Sequence, residues 1–392
     1  MESVFICAAL RTPLGSFGGS LSSISATTLG SIAIKEVLVK STVDPGAIDE
    51  VFMGNVCSAN LGQAPARQAA IHAGIPNTVP CTTVNKVCSS GAKSIMFGAQ
   101  SIMLGHNHLV VAGGMESMSS VPYYVPKARF GYKYGDSTLI DGLAKDGLID
   151  AFDDGVMGAF GDATAKEYNI TREDQDNYAI SSYKNAIATT ESGQFYEEIA
   201  PVTILQRKGD PIVMTEDEEP KKVKFEKIPQ LRAAFTKDGT VTAANASTIN
   251  DGAAAVVLAS ESKVKELGLT PIARIVSFAD AAQEPQWFTT APTKVTPIAL
   301  QRAGYSLNDI DFFEVNEAFS VVPLVYNKIL DVDPSKVNVF GGAVSIGHPL
   351  GCSGARIIAT LCNVMHQKGG SKGVAAICNG GGGASSIVLE KV

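Results

Sequence analysis

Short apolar runs alternate with amphipathic stretches over the first 118 residues. SVFICAAL (3–10), EVFMGNVC (50–57) and NHLVVAGG (107–114) are runs of strand length, whereas TTLGSIAIKEVLVKS (27–41) and the segment from Ser89 to Leu104 carry helical spacing. This alternation is the signature of an α/β layer structure. It breaks off over residues 119–245. That stretch holds YYVPKARFGYKYGD, the acidic-then-basic DEEPKKVKFEK and several Pro/Gly breaks. One long helix is expected there, over TREDQDNYAISSYKNAIATT, with Thr171 as N-cap and Asp174 in the first turn, where a carboxylate suits the helix dipole. The segment is read as an insertion lying over the core. From about Asp251 the alternation resumes through AAAVVLAS, PIARIVSFA, a helix near TPIALQRAG, DFFEVNEAF and KVNVFGG, and closes with a strand, a helix and two strands.

The two ends repeat one unit. Ser90-Gly91-Ala92-Lys93 precedes SIMFGAQSIM and the strand LVVAGG; Ser353-Gly354-Ala355-Arg356 precedes IIATLCNVM and the strand VAAICNGG. The matching order of turn, helix, strand and glycines argues for an internal duplication. Two such halves packed about a pseudo-twofold axis would bring both turns to one face. The expected parts are residues 1–118 (completed by about 246–270), an inserted loop domain over 119–245, and a second half over 271–392.

Composition narrows the function. The 392 residues are 45% hydrophobic, ample for a large core. A net charge of −7 does not favour a nucleic-acid partner, and an anionic ligand would need a local basic patch. No apolar run approaches the roughly 18 residues of a membrane span. None of the seven cysteines falls in a CxxC pair, and the chain carries no signal, transit or peroxisomal pattern, so a cytoplasmic protein with reduced thiols is expected.

Three of the candidate chemical residues sit in glycine-rich turns. Cys88 lies in VNKVCSSGAKS, just before a helix whose free N–H groups and dipole should favour the thiolate. The plain alternative is a buried small hydrophobe. His348 lies in IGHPLG, held by Pro349 and glycines, placed to act as a base toward Cys88 and as an N–H donor to an oxyanion, or else as a satisfied structural histidine. Cys378 precedes Gly380 to Gly383, where a thiol beside bare N–H groups could serve as acid and base; a tight turn needing small residues is the alternative. Asn316 and Glu317 in EVNEAFS read either as a helix-start pair or, for the amide, as the holder of a water. No close pair has zinc spacing. Lys221, Lys222, Lys224 and Lys227 form a basic run offset by the neighbouring EDEE, compatible with a solvated face or a phosphorylated ligand.

Together, VNKVCSSG, NEAF, GGAVSIGHPLGCSGAR and CNGGGGASS, with TVTAANASTINDGAA and GNVCSANLGQAPARQ, resemble the thiolase family over essentially the whole chain. The motifs are most similar to those of its eukaryotic cytosolic acetoacetyl-CoA branch. The resemblance implies a five-layered α/β/α/β/α core of two similar halves with an inserted loop domain, and a homotetramer. It implies reversible Claisen condensation of two acetyl-CoA to acetoacetyl-CoA and CoA, ping-pong through acetyl-Cys88, feeding mevalonate and sterol synthesis. Cys88 would be the nucleophile, His348 its base, and Cys378 the base on the second acetyl-CoA. Asn316 and Gly380 would complete two oxyanion holes. No cofactor is required. CoA contacts carry over to Tyr183, Lys222, Val223, Lys224, Lys227, Ser247 and Met157. Some eukaryotic members bind potassium, and the matching positions here are Tyr183, Ala243, Ala244, Ala246 and Val344, with Phe288 also as in those members. Some bacterial relatives place a histidine where this chain has Val156, and the 222–224 segment varies in the family.

Three rivals are a degradative 3-ketoacyl-CoA thiolase, a decarboxylating ketoacyl synthase with a Cys-His-His site, and a non-catalytic CoA- or lipid-binding module. The missing organelle signals, the absence of an evident second site histidine, and the presence together of Cys88, His348, Asn316 and Cys378 stand against them in turn.

Overall fold

The computed structural model describes residues 2–392. Nine main strands are Val4–Arg11 (β1), Glu50–Gly54 (β2), Cys81–Val84 (β3), Leu109–Ser117 (β4), Asn250–Ser260 (β5), Ala273–Ala282 (β6), Phe312–Val315 (β7), Lys372–Asn379 (β8) and Gly383–Lys391 (β9). The principal helices are Ala26–Ser41 (α1), Pro65–His72 (α2), Ser90–Met103 (α3), Met157–Glu167 (α4), Arg172–Glu191 (α5), Ala291–Ala303 (α6), Val321–Leu330 (α7) and Leu350–Lys368 (α8).

The duplication is visible in the pairing. In the first half the order is β2-β4-β5-β1, with one parallel and then two antiparallel contacts. In the second half β7-β8-β9-β6 follows the same sequence of directions. The halves join edge to edge only where Val4–Ile6 meet Ala273–Ile275. Strands β4 and β5 are buried along their whole length, which is why they read as unbroken apolar and small runs.

Three apolar clusters define the layers. One lies outside the first half and is built from α1, α2 and the outward faces of β1, β4 and β5. A second joins α6 and α7 to the second half. The third lies between, where Ala92, Ile95 and Ala99 of α3 meet Ala355, Ile358 and Cys362 of α8. The stack is therefore helix, sheet, helix, sheet, helix.

The middle layer explains why Ser-Gly-Ala occurs twice. A Cβ on Gly91 would sit 2.6 Å from the backbone N of Ala355, and one on Gly354 would sit 2.3 Å from that of Ala92. The two turns touch through backbone, so no larger side chain fits at either contact.

Residues 119–245 contribute only two small two-stranded pairs, Tyr123–Tyr124 with Ile140–Asp141 and Val202–Ile204 with Ile212–Met214, both apart from the main sheet. The capping box of α5 joins Thr171 and Asp174. One expectation fails. The segment 336–342 is not a strand: Val337 makes a single bridge to Phe313, and Asn338 enters the left-handed region at φ +49°. The side chain of Asn338 bonds Val315 and Glu317 instead, turning the chain toward the site.

Gly354→Ala should push α3 and α8 apart and lower unfolding stability in urea by about 1–3 kcal/mol, the usual cost of overpacking. An unchanged midpoint and slope would remove this contact as a constraint.

Candidate active site

Cys88 sits on a tight elbow between β3 and α3. Val87 before it takes φ +47°, a costly conformation for a β-branched residue. Ser90 holds the elbow closed: its Oγ donates to Val87 O at 2.6 Å and accepts from Lys86 N at 2.8 Å. Lys86 reaches across to Asp280 of β6 and to Ser385 Oγ of β9, tying the elbow to the other half. The thiol is not activated in the way the helix start alone suggests. Burial pushes Cys88 up to about 12, and the backbone N–H groups of Gly380 and of Cys88 itself only partly offset this. The resting group is a thiol, and a partner must remove its proton.

His348 lines the same cavity as Cys88. It precedes α8, and its N–H donates to Asn250 Oδ1 at 3.0 Å. Gly347 has φ +112°, and a Cβ there would meet the Asn250 side chain at 2.3–2.5 Å, so glycine is required. Ser353, one turn into α8, donates to Pro349 O at 2.8 Å and lies 2.6 Å from His348 Nδ1. With the serine proton on the carbonyl, Nδ1–H is the donor and Nε2 carries the free lone pair. Nε2 has no protein partner, and His348 lines the main cavity. Burial, and then Arg356, push its pKa down to about 3, so the imidazole is neutral.

Cys378 is the penultimate residue of β8 and is fully buried. Burial and then Cys88 raise its pKa, which places the two thiols within electrostatic reach of one another. Ser89 Oγ is 3.0 Å from Asn379 Oδ1, locking the elbow to the loop that carries Gly380. Asn316 follows β7. It is not part of a helix start, since α7 begins at Val321. Arg356 Nη2 donates to Asn316 Oδ1 at 3.2 Å, leaving Nδ2 3.5 Å from His348 Nδ1. Glu317 does other work. It accepts from Tyr178, Ser182, Asn338 and Val344 N, pinning the insertion to the core. Glu116 likewise accepts from Val56 N, Cys57 N and Gly351 N, which braces the start of α8; burial raises it to about 7.

A cavity of about 540 Å³ leads to Cys88, His348 and Gly380. Its wall is chiefly apolar, with Met118, Leu148, Met157, Phe235, Phe288 and Phe319, and Ser247 and Ala246 also line it. A second hollow of about 240 Å³ shares Glu219, Lys222, Ala243 and Thr248 with it, and adds Tyr183, Val223, Lys224, Lys227 and Ala244. Lys221 points away, to Glu216. Val344 is buried and packs against Tyr183. The geometry suits a long ligand with an apolar arm in the first cavity, its reactive end at Cys88 and an anionic end at the lysines. Asn316 and Cys378 are fully buried and do not line this cavity as it stands. Phe17, Leu148 and Phe235 carried no signal in the sequence, because single apolar residues on separate loops form no pattern.

The family models described as the N-terminal and C-terminal domains of thiolase match residues 4–262 and 269–391. An acetyl-CoA acetyltransferase of Schizosaccharomyces pombe is 56% identical over 390 residues, 99% of each chain. One of Gibberella zeae described as cytosolic is 53% identical, covering 100% of this chain and 99% of its own. The crystal structure of the Acat5 thiolase of Ascaris suum in complex with coenzyme A covers 100% of both chains at TM-score 0.95 and 48% identity. On sequence, fold and site together, the chain belongs to the thiolase family.

Proposed function

We propose that this protein is an acetyl-CoA C-acetyltransferase that joins two acetyl-CoA into acetoacetyl-CoA and CoA, reversibly, through an acetyl-Cys88 intermediate. The carrying observation is the closed set of contacts that leaves His348 Nε2 unpartnered at the cavity containing Cys88. Its relatives' names and the coenzyme A bound by the Ascaris protein support the substrate class.

Each step draws on a named group. Nε2 of His348 takes the thiol proton, and Sγ of Cys88 attacks the thioester carbonyl. The N–H groups of Cys88 and Gly380 receive the oxyanion, and the CoA thiolate leaves with the proton of the Cys378 thiol, so that Cys378 becomes a thiolate while His348 stays protonated at Nε2. A second acetyl-CoA binds; the Cys378 thiolate removes a proton from its methyl carbon. The enolate oxygen is held by protonated His348 Nε2 and by a water on Asn316. The carbanion then attacks the acetyl-Cys88 carbonyl and the C–S bond breaks, releasing acetoacetyl-CoA; the Cys88 thiolate takes back the proton from His348 Nε2, and Cys378 keeps the proton removed from the methyl carbon. Burial of Cys378 serves this scheme, since a thiolate raised in basicity is a better base toward a weak carbon acid. Two half-reactions through one covalent intermediate make the kinetics ping-pong.

The arm of CoA is assigned to Met157 and Ser247, and its phosphates and adenosine to Tyr183, Lys222, Val223, Lys224 and Lys227. A potassium ion is assigned to Tyr183 and the backbone oxygens of Ala243, Ala244, Ala246 and Val344. The fit rests on chemistry. Tyr183 is a buried phenol raised by burial and by Glu219, and Glu219 lines the same hollow, so the donors are hard oxygens beside a carboxylate. Such an ion would supply positive charge next to the CoA site. The parts 1–118 with 246–270, 119–245 and 271–392 are assigned as first half, CoA-binding loop domain and second half.

A homotetramer is also proposed. Within 119–156, Tyr123, Phe130, Tyr134, Leu139 and Phe152 are exposed on one segment, an apolar surface that association would cover. The proposed compartment is the cytoplasm, as for the Gibberella relative, and the proposed outlet is an essentially irreversible later step toward mevalonate and sterols. No described helix is long and apolar enough to cross a membrane.

Thiolysis of acetoacetyl-CoA, set beside a long-chain 3-ketoacyl-CoA at matched concentration, tests the substrate. Fast cleavage of the short substrate alone is expected. Comparable or faster cleavage of the long one would make the enzyme a degradative thiolase, and cleavage of neither would leave a binding module. Exchanging K⁺ for Na⁺ at constant ionic strength should lower that thiolysis rate, and an indifferent rate would end the potassium assignment. Light scattering should give the mass of four chains; a monomer would end the tetramer.

A further inference from the structure

Helix α8 carries a charged group toward the site that the reaction scheme above does not use. Arg356 is 1% exposed and lies three residues after Ser353, so both face the site from adjacent turns. Ser353 meets His348, and Arg356 Nη2 meets Asn316 Oδ1 at 3.2 Å. The only ion-pair partner of Arg356 among the described residues is Glu314, at 3.5 Å from Nη1 and two residues before Asn316 on β7. Nε and Nη1 of Arg356 and Oε1 of Glu314 make no hydrogen bond in the protein. A buried arginine so poorly compensated is expensive, and folding alone gives no reason to keep it.

The duplication supplies an internal control. Lys93 occupies the matching place in the first half, yet it turns outward to Asp280, 2.7 Å away, with 18% side-chain exposure. The fold therefore does not require a buried cation at this point of the unit. Only the half that carries His348 and Asn316 has one.

We propose that Arg356, with Glu314, is a positioning residue for the enolate step: it holds Asn316 Oδ1 so that the amide presents Nδ2 to the site. Its guanidinium is fixed by α8, and the contact to Oδ1 excludes the flipped amide, which would present an acceptor where the enolate oxygen and its water need a donor. The charge acts in the same direction. It polarises the amide toward the developing oxyanion. The acylation step uses the N–H groups of Cys88 and Gly380 and has no contact with Arg356. The two half-reactions should therefore respond differently.

This inference rests on the proposed two-step reaction, and the experiment separates the two. The variant Arg356→Met with Glu314→Leu removes both charges at similar volume, a change that buried ion pairs often tolerate. Two rates are measured in parallel. One is acetylation of Cys88 by acetyl-CoA, followed by quenching and mass spectrometry. The other is exchange of the acetyl-CoA methyl protons with solvent deuterium. Exchange should fall about 10- to 100-fold, less than the ~10²–10³ lost when a whole oxyanion donor is removed. Acetylation should stay within about threefold of wild type. Equal losses in both rates, or no loss in exchange, would overturn the proposal. Should the double variant fail to fold, Arg356→Lys keeps the charge without the planar fork and is judged by the same ratio. A wild-type enzyme that shows neither acetylation nor exchange would instead refute the reaction itself.

Discussion

The backbone contact between the starts of α3 and α8 is the constraint on which the rest depends. Cys88 and His348 are 260 positions apart in the chain, and no local structure could bring them together. Each sits in the turn before one of two matching helices, and those helices meet through Gly91 and Gly354, with Ala355 N and Ala92 N where a Cβ would be. Burying both helix starts between two sheets has a second effect. It places the thiols and the imidazole where water does not screen them, which raises both sulfurs and keeps the histidine neutral. Packing and chemistry here have one cause.

That cause also corrects a common inference from sequence. A cysteine at a helix start suggests a depressed pKa. The helix end does offer N–H groups to Cys88, yet burial outweighs them. In the proposed reaction the same groups gain their value later, when a negative oxygen forms beside them in a site with a low local dielectric.

Much of the architecture was legible because repetition and periodicity report on packing directly. The twice-used Ser-Gly-Ala unit pointed to two halves, and four strands of each half pair in the same order of directions, with β3 as an extra edge strand of the first half. The break in alternation after residue 118 marked where the main sheet gives way to the insertion, and Thr171 with Asp174 marked a helix start. The segment 336–342 misled because Val337, Val339 and Phe340 resemble a strand locally, while Asn338 is claimed by Glu317 and Val315. Glycine-framed Cys88, His348 and Cys378 stood out by their surroundings. The cavity wall did not, since Phe17, Leu148 and Phe235 come from three separate stretches and look like ordinary apolar residues. Arg356 was visible only as a member of the repeat; its difference from Lys93 required knowing which carboxylate each one faces.

In the proposed reaction this packing makes Cys88, and no other of the seven cysteines, the group that carries the acetyl. Incubation with acetyl-CoA alone, rapid acid quenching and peptide mass mapping tests it most directly. One acetyl group on the peptide containing Cys88, absent from the Cys88→Ser protein, is the expected result. An acetyl group on the Cys378 peptide, or none on any cysteine while thiolysis proceeds, would contradict the account.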